Sequence, residues 1–153
     1  MKIEHHPGLR EQIIRHEGLS LSAYRCPAGA LTIGYGHNLD ARPIWDIQED
    51  CRISRAMADS LLRSDLKDTA ERLDTALPWW RSLNEPRQAV ILNMAYQMGV
   101  GGLLKFRRTL AAVQAGDWDN AAQYMLESKW ARNDSPKRAI EMAEQMKTGK
   151  WLG

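Results

Sequence analysis

The spacing of apolar residues changes period along this chain, and each change marks an element. Leu9, Ile13 and Ile14 fall at i, i+4 and i+5 among Arg10, Glu11, Gln12 and Arg15. That spacing predicts a short helix over Gly8 to His16. Gly18 stands where a left-handed C-cap would end it, so Glu17 is the last side chain of the helix. From Leu19 to Leu39 the helical period is gone. Ala23-Tyr24, Pro27-Ala28-Gly29-Ala30 and Leu31-Thr32-Ile33-Gly34-Tyr35-Gly36 read as strand, turn and strand. Gly34 and Gly36 inside the second strand mark a close approach by a ligand or another backbone. Pro43 and the stretch Gln48-Glu49-Asp50 read as loop.

The longest helical pattern runs from Ser54 to Leu77, with Met57, Leu61, Leu62, Leu66, Leu73 and Leu77 near helical spacing. Ser54 is its N-cap and Pro78 its stop. At 1.5 Å per residue, such a helix spans roughly 36 Å, more than the radius of a small domain. It predicts a connector between an N-terminal mixed lobe and a helical C-terminal lobe. Asn84-Glu85-Pro86 then opens a nearly all-apolar helix, closed by Gly99 to Gly102, that suits the buried centre of the second lobe. Three more helices follow: Arg107 to Ala115, a helix capped by Asp117-Trp118-Asp119 that runs to about Ser128, and Ser135-Pro136 to Lys147 with Gly149 as its end. The fold class is therefore α+β.

The chain's 153 residues suit one domain, or two small lobes, and bury about two thirds of the unfolded surface without a staple. Apolar residues make up 44% and charged residues 26%, ordinary for a globular protein. The net charge of +2 is too mild to call for nucleic acid. Cys26 and Cys51 are too few for a disulfide framework, and no CxxC pair suggests zinc or redox work. His5, His6 and His16 lack the Asp or Cys that would complete a metal-ligand spacing. The opening MKIEHHPGLREQIIRHEG carries charge throughout, so neither a signal peptide nor a membrane anchor is expected, and the chain is expected to stay in a cytosol until released. Of the tryptophans, Trp79, Trp80, Trp118, Trp130 and Trp151 fall in the helical half and read mostly as core, as do the methionines.

The candidate chemistry lies in HEGLSLSAYRCPAGALTIGYGH, His16 to His37. Glu17 at a helix C-terminus sits at the negative end of the helix dipole, which disfavours its charged form and suits a general acid. A Gly-rich hairpin opposite could supply a second polar group, with Cys26 and Thr32 on neighbouring strands. The plain alternative is structural: Glu17 an exposed helix end, Cys26 a small buried apolar group, Thr32 a strand residue.

The stretch closely resembles the phage-type lysozymes, the endolysins of glycoside hydrolase family 24. Their signature is a Glu, eight residues, an Asp or Cys, five residues and a Thr, and here it reads Glu17, Cys26 and Thr32, running on through Ile33-Gly34-Tyr35-Gly36-His37. The resemblance continues in order through NMAYQMG (Asn93 to Gly99), WDNAA (Trp118 to Ala122), SKWARN (Ser128 to Asn133) and SPKRA (Ser135 to Ala139). It implies a lysozyme-like bilobed fold in one catalytic domain, residues 1–153, with lobes of about 1–53 and 78–153 joined by a helix of about 54–77. It implies hydrolysis of the β-1,4 bond between N-acetylmuramic acid and N-acetylglucosamine in peptidoglycan, with no cofactor.

Roles carry over position by position. Glu17 matches the general acid, and Thr32 the threonine that helps hold the attacking water. Cys26 takes the second catalytic position. His37 and Asn38 support the hairpin and line the cleft. Tyr96 and Gln97 match cleft residues of the second lobe, and Arg138 matches an arginine that ion-pairs with the catalytic glutamate. A thiol in place of a carboxylate departs from the usual pair of acids. With a pKa of about 8.5 it is mostly neutral at neutral pH. It acts either as a thiolate base or ion stabiliser, or only as a water-orienting partner of Thr32.

The same resemblance implies a monomer that acts on peptidoglycan glycan strands, binds no nucleic acid and inserts in no membrane. It would wait in the host cytoplasm until a holin opens the way to the wall, and a separate wall-binding module is not expected at this length. Two rivals stand beside this reading. A lytic transglycosylase needs one acid/base Glu and no second carboxylate. A non-catalytic wall-binding virion component would keep only the fold. Lys105, Arg107, Arg108, Lys129, Arg132, Lys137 and Arg138 predict a positive surface on the second lobe. That surface is either a solvated face or an attractor for anionic peptidoglycan or lipopolysaccharide.

Overall fold

The computed structural model describes residues 1–25, 29–44 and 52–152. Cys26, Cys51, the Pro27-Ala28 part of the predicted turn and the Gln48-Glu49-Asp50 loop lie outside the described residues. The chain divides into two compact units: Glu4–Asp68, and Met1–Ile3 with Thr69–Gly153. The boundary falls within one helix.

The first unit opens with α1 (Pro7–Glu17), which starts on a proline and on His6, whose Nδ1 accepts from the Gly8 N–H at 2.9 Å. Leu9 and Ile13 are fully buried, but Ile14 is exposed and Gln12 is buried in its place. The reason is angular: residues 9, 12 and 13 share a face of a 3.6-residue helix more closely than 9, 13 and 14 do. Gly18 caps α1 with φ 71° and ψ 175°, so its φ is positive but its ψ is extended rather than left-handed helical. Its N–H still closes the helix on the Ile14 carbonyl at 2.9 Å.

A three-stranded antiparallel sheet follows in the order β1 (Ser20–Arg25), β2 (Leu31–Gly34), β3 (His37–Asn38). The sequence predicts two strands, and the third is only two residues long. The second strand stops at Gly34, and Tyr35-Gly36 is the turn into β3, so Gly36 is not a strand residue. The β1–β2 register shifts between the Ser20–Gly34 and Tyr24–Thr32 pairs. In that gap Ser22 bridges to Arg52, and the Ile53 N–H donates to the Leu21 carbonyl at 2.8 Å.

The helix α2 (Arg55–Ala76) has 22 residues and is capped by Ser54, whose Oγ accepts from the Met57 N–H at 3.1 Å. Its buried positions within the first unit are Ala58, Leu62, Asp65 and Leu66, which continue as Thr69, Ala70 and Leu73 in the second. That is one apolar stripe at helical spacing, with one acid in it.

The second unit is helical. Asn84 caps α3 (Glu85–Leu104) by accepting from the Arg87 N–H, and residues Ala89 to Ala95 are all buried. Gly99 does not end this helix but kinks it, at φ 78° and ψ 157°, and the chain resumes helical geometry to Leu104. Next come α4 (Arg107–Gln114), α5 (Trp118–Glu127) and α6 (Pro136–Thr148). A single π-helical segment, Trp130–Asp134, stands between α5 and α6 where the sequence shows no period. The core is Ile91, Leu92, Met94, Leu103, Met125, Met142 and Met146, together with Trp80. Arg87 locks the end of α6: its Nε donates to the Met146 carbonyl at 2.8 Å and its Nη2 to that of Lys147 at 3.0 Å. The same guanidinium lies 3.8 Å over the Trp118 ring.

Candidate active site

The predicted site residues fall into two groups, one in each unit. Glu17, Thr32, His37 and Asn38 belong to the first; Tyr96, Gln97 and Arg138 belong to the second.

Glu17 is the last residue of α1 and is half-buried. Its carboxyl group rests against Gly36: a Cβ added at Gly36 would lie 2.9 Å from Glu17 Oε1 and 3.1 Å from its carboxyl carbon. Gly36 has φ 81°, a conformation that side-chain-bearing residues rarely adopt. The turn thus needs glycine twice, once for its backbone and once to leave room for the acid. The close approach foreseen for this glycine is to a side chain of the same unit.

Thr32 is buried in β2, cross-strand from Tyr24 on one side and Asn38 on the other. Its hydroxyl donates to the Ala30 carbonyl at 3.0 Å. Asn38 shapes the loop that follows: its Oδ1 accepts from the N–H groups of Asp40 and Ala41 at 2.9 and 3.0 Å. Asp40 in turn accepts from the Leu31 N–H at 3.0 Å, tying that loop to the start of β2.

His37 is buried, and both ring nitrogens face acceptors. Its Nδ1 lies 2.7 Å from Asp65 Oδ2 and its Nε2 lies 3.0 Å from the Arg42 carbonyl. Neither a carboxylate nor a carbonyl can donate, so only the doubly protonated ring satisfies both contacts. Burial alone pushes the imidazole pKa down, but the hydrogen bond and charge of Asp65, with the Arg42 carbonyl, outweigh it, and the net direction is up. Arg42 completes the network by binding Asp65 Oδ1 at 2.8 Å and Asp68 Oδ2 at 3.0 Å. His37 therefore fastens β3 to α2. Asp65 and Arg42 were not among the predicted site residues. Asp65 carries a usable signal, since an acid on the stripe Ala58, Leu62, Leu66 needs a partner once buried.

In the second unit, Gln97 spends both ends of its amide. Its Nε2 donates to Ser135 Oγ at 2.7 Å, and its Oε1 accepts from Trp130 Nε1 at 2.9 Å. Ser135 makes no side-chain cap bond to α6, the cap role that its place before Pro136 suggests. Gln97 thus pins the π-helical segment at both ends. Tyr96 is half-buried one residue earlier on α3. Arg138 is buried rather than part of a positive surface, and its Nε donates to the fully buried Asn93 Oδ1 at 2.9 Å. Cys26, the second catalytic position of the motif, lies outside the described residues. Among the described residues no group of three or more His, Cys, Asp or Glu is placed to hold a metal ion.

Comparison with known proteins bears on the family of the chain. The family described as Phage lysozyme matches residues 14–142, from inside α1 to the middle of α6. The pre-baseplate central spike protein Gp5 of Enterobacteria phage T4 is 33% identical over 141 residues, 80% of this chain but 24% of the spike protein, so the chain spans a minor part of that relative. Probable T4-type lysozyme 1 of Dictyostelium discoideum is 24% identical over 161 aligned positions, covering 92% of this chain and 94% of the relative. The endolysin of Acyrthosiphon pisum secondary endosymbiont phage 1 is 30% identical over 121 residues, 78% of this chain and 75% of the relative.

Proposed function

We propose that this chain, which belongs to the phage lysozyme family, hydrolyses the β-1,4 bond between N-acetylmuramic acid and N-acetylglucosamine in peptidoglycan. It is a glycoside hydrolase of the lysozyme class. The observation that carries the reading is the seating of the Glu17 carboxyl against Gly36, at the C-terminal end of α1, within the matched residues.

Glu17 acts as the general acid that protonates the leaving glycosidic oxygen. Thr32 holds the attacking water, helped by Cys26 at the second position. His37 and Asn38 hold the sheet on which Thr32 sits. Gln97 and Arg138 shape the sugar-binding surface of the second unit, with Tyr96 beside them. The protein works as a monomer, without a cofactor, and waits in the host cytoplasm until a holin admits it to the wall.

Purified peptidoglycan digested by the wild type should yield soluble fragments with reducing N-acetylmuramic ends, identified by mass spectrometry. Glu17→Gln should lower that rate about 10²- to 10⁴-fold while leaving the circular dichroism unchanged. Ends lighter by one water, as 1,6-anhydro sugars, would instead make the protein a lytic transglycosylase. No release by either protein would sink the enzymatic reading.

The 33% identity to a phage central spike protein supports a second reading of the same chemistry, in which the domain works as part of a virion. Purified particles and lysate would then be compared by quantitative mass spectrometry. Enrichment in particles supports that reading; presence in lysate alone supports the free endolysin.

A further inference from the structure

The Glu17 carboxyl rests on Gly36, and Gly36 belongs to a short turn that does not hold its own shape. Gly34 and Gly36 both have positive φ, at 68° and 81°. With glycine on each side, the backbone around Tyr35 has much freedom to lose, so contacts from outside the turn must fix it. Those contacts come from α2, within the same unit. A Cβ added at Gly34 would lie 3.6 Å from Ala58 Cβ, so the turn begins against that helix. His37, just past Gly36, is held by Asp65. Between these points stands Tyr35, 6% exposed, whose hydroxyl donates to Asp59, the neighbour of Ala58. We infer that Tyr35 and Asp59 are positioning residues for Glu17: their bond holds the turn on which the acid is seated. The inference rests on the reading of Glu17 as general acid.

The surroundings of Asp59 show that this bond is a choice of partner. Arg55 and Arg63 stand one turn before and one turn after it on α2, a spacing that suits ion pairs. Asp59 also lines a cavity of about 250 Å³ with Arg10 and Arg63. It is ion-paired with none of the three arginines among the described residues, and bonds to the phenol instead. Burial, then the charge and hydrogen bond of Asp59, push the Tyr35 pKa above its ordinary 10.0, so the proton stays on the oxygen that donates it. A phenylalanine would fill the same space, but it would aim at no particular atom of α2. The hydroxyl makes the contact directional. A turn released from it shifts Gly36, and with Gly36 the carboxyl that must come within hydrogen-bond reach of the glycosidic oxygen.

The test is steady-state turnover of soluble peptidoglycan by the whole chain, at a temperature where circular dichroism shows every variant folded. Tyr35→Phe should lower kcat about tenfold and change KM by less than about twofold, because it disturbs the acid and not the sugar contacts. Asp59→Ala should do the same. Asp59→Asn keeps an oxygen that accepts from the phenol, and should return kcat to within about threefold of wild type. Tyr35→Phe combined with Asp59→Ala should fall no further than either alone, since both cut one bond. A Tyr35→Phe enzyme with kcat within about twofold of wild type would overturn the inference, whatever its melting temperature. So would losses that multiply in the double variant, or a rise in KM at constant kcat. Glu17→Gln is measured beside them. If it turns over at the wild-type rate, the reading of Glu17 fails and the inference with it. If it is inactive while Tyr35→Phe is unimpaired, the inference alone fails.

Discussion

Gly36 makes the room that the Glu17 carboxyl occupies. An added methyl group would meet Oε1 at 2.9 Å, closer than real carbon contacts allow. The obstacle is the flexible end of the acid, so the fold can absorb the change and the acid must move. Gly36→Ala is therefore expected to cost about 1 kcal/mol of stability, from the positive φ, but about 100-fold in kcat/KM. Thermal melts and turnover of soluble peptidoglycan measure the two separately. Near-normal activity with low stability would show that Glu17 needs no such exact seat.

The His37–Asp65 pair sets a pH dependence of stability. The folded pKa of His37 lies above its ordinary 6.5, so its contribution is complete below that pH and is lost as pH rises through the folded value. The gap in melting temperature between wild type and His37→Gln should be widest on the acid side and should close toward alkali. Asp65→Asn should cost about 3 kcal/mol, because it strips a buried ring of its partner. A gap that widens with pH would refute the assignment of His37 as imidazolium.

Asp74 acts in the opposite sense. Arg81 binds both its oxygens, at 2.7 and 3.1 Å, and Trp80 Nε1 donates to it at 2.8 Å. The bond to Arg81 chiefly holds its pKa below the usual carboxylate range, against a smaller rise from burial. Its contribution is present above that range and fades as pH falls through the folded value. Acid titration of Asp74→Asn should therefore show a shallower loss of stability than wild type.

Arg87 is the brace of α6. Removing it frees two carbonyls at the helix end and uncovers Trp118, so Arg87→Ala is expected to cost about 2 kcal/mol. Arg87→Lys should recover only part of this, because a lysine cannot bridge Met146 and Lys147 and stack at once. Denaturant melts of the three proteins would decide it.

What the sequence made legible follows physical range. The end of α1 at Glu17 and the cap of α2 at Ser54 were readable because each depends on a few adjacent residues. The strand β3 was not, because two residues carry no period and their pairing is fixed by the turn at Gly36. Asp65 reads as one acid among many on a helix, and only its place on the buried stripe, 28 residues from His37, gives it meaning. Arg138 reads both as a match to an ion-pairing arginine and as one of a run of surface cations, and its bond to Asn93, 45 residues away, is visible only once the chain is folded. Gly99 reads as a stop, yet the apolar packing of Leu103 carries the helix beyond the kink. Local chemistry was visible, and long-range partners were not.

The Thr32 hydroxyl has a single proton, and that proton is committed to the Ala30 carbonyl. What remains are lone pairs. Any group that binds there must be a donor, turning an O–H or N–H bond toward the threonine. The strand therefore selects a polarity as well as a place: at Thr32 it offers an acceptor and has no proton left to give.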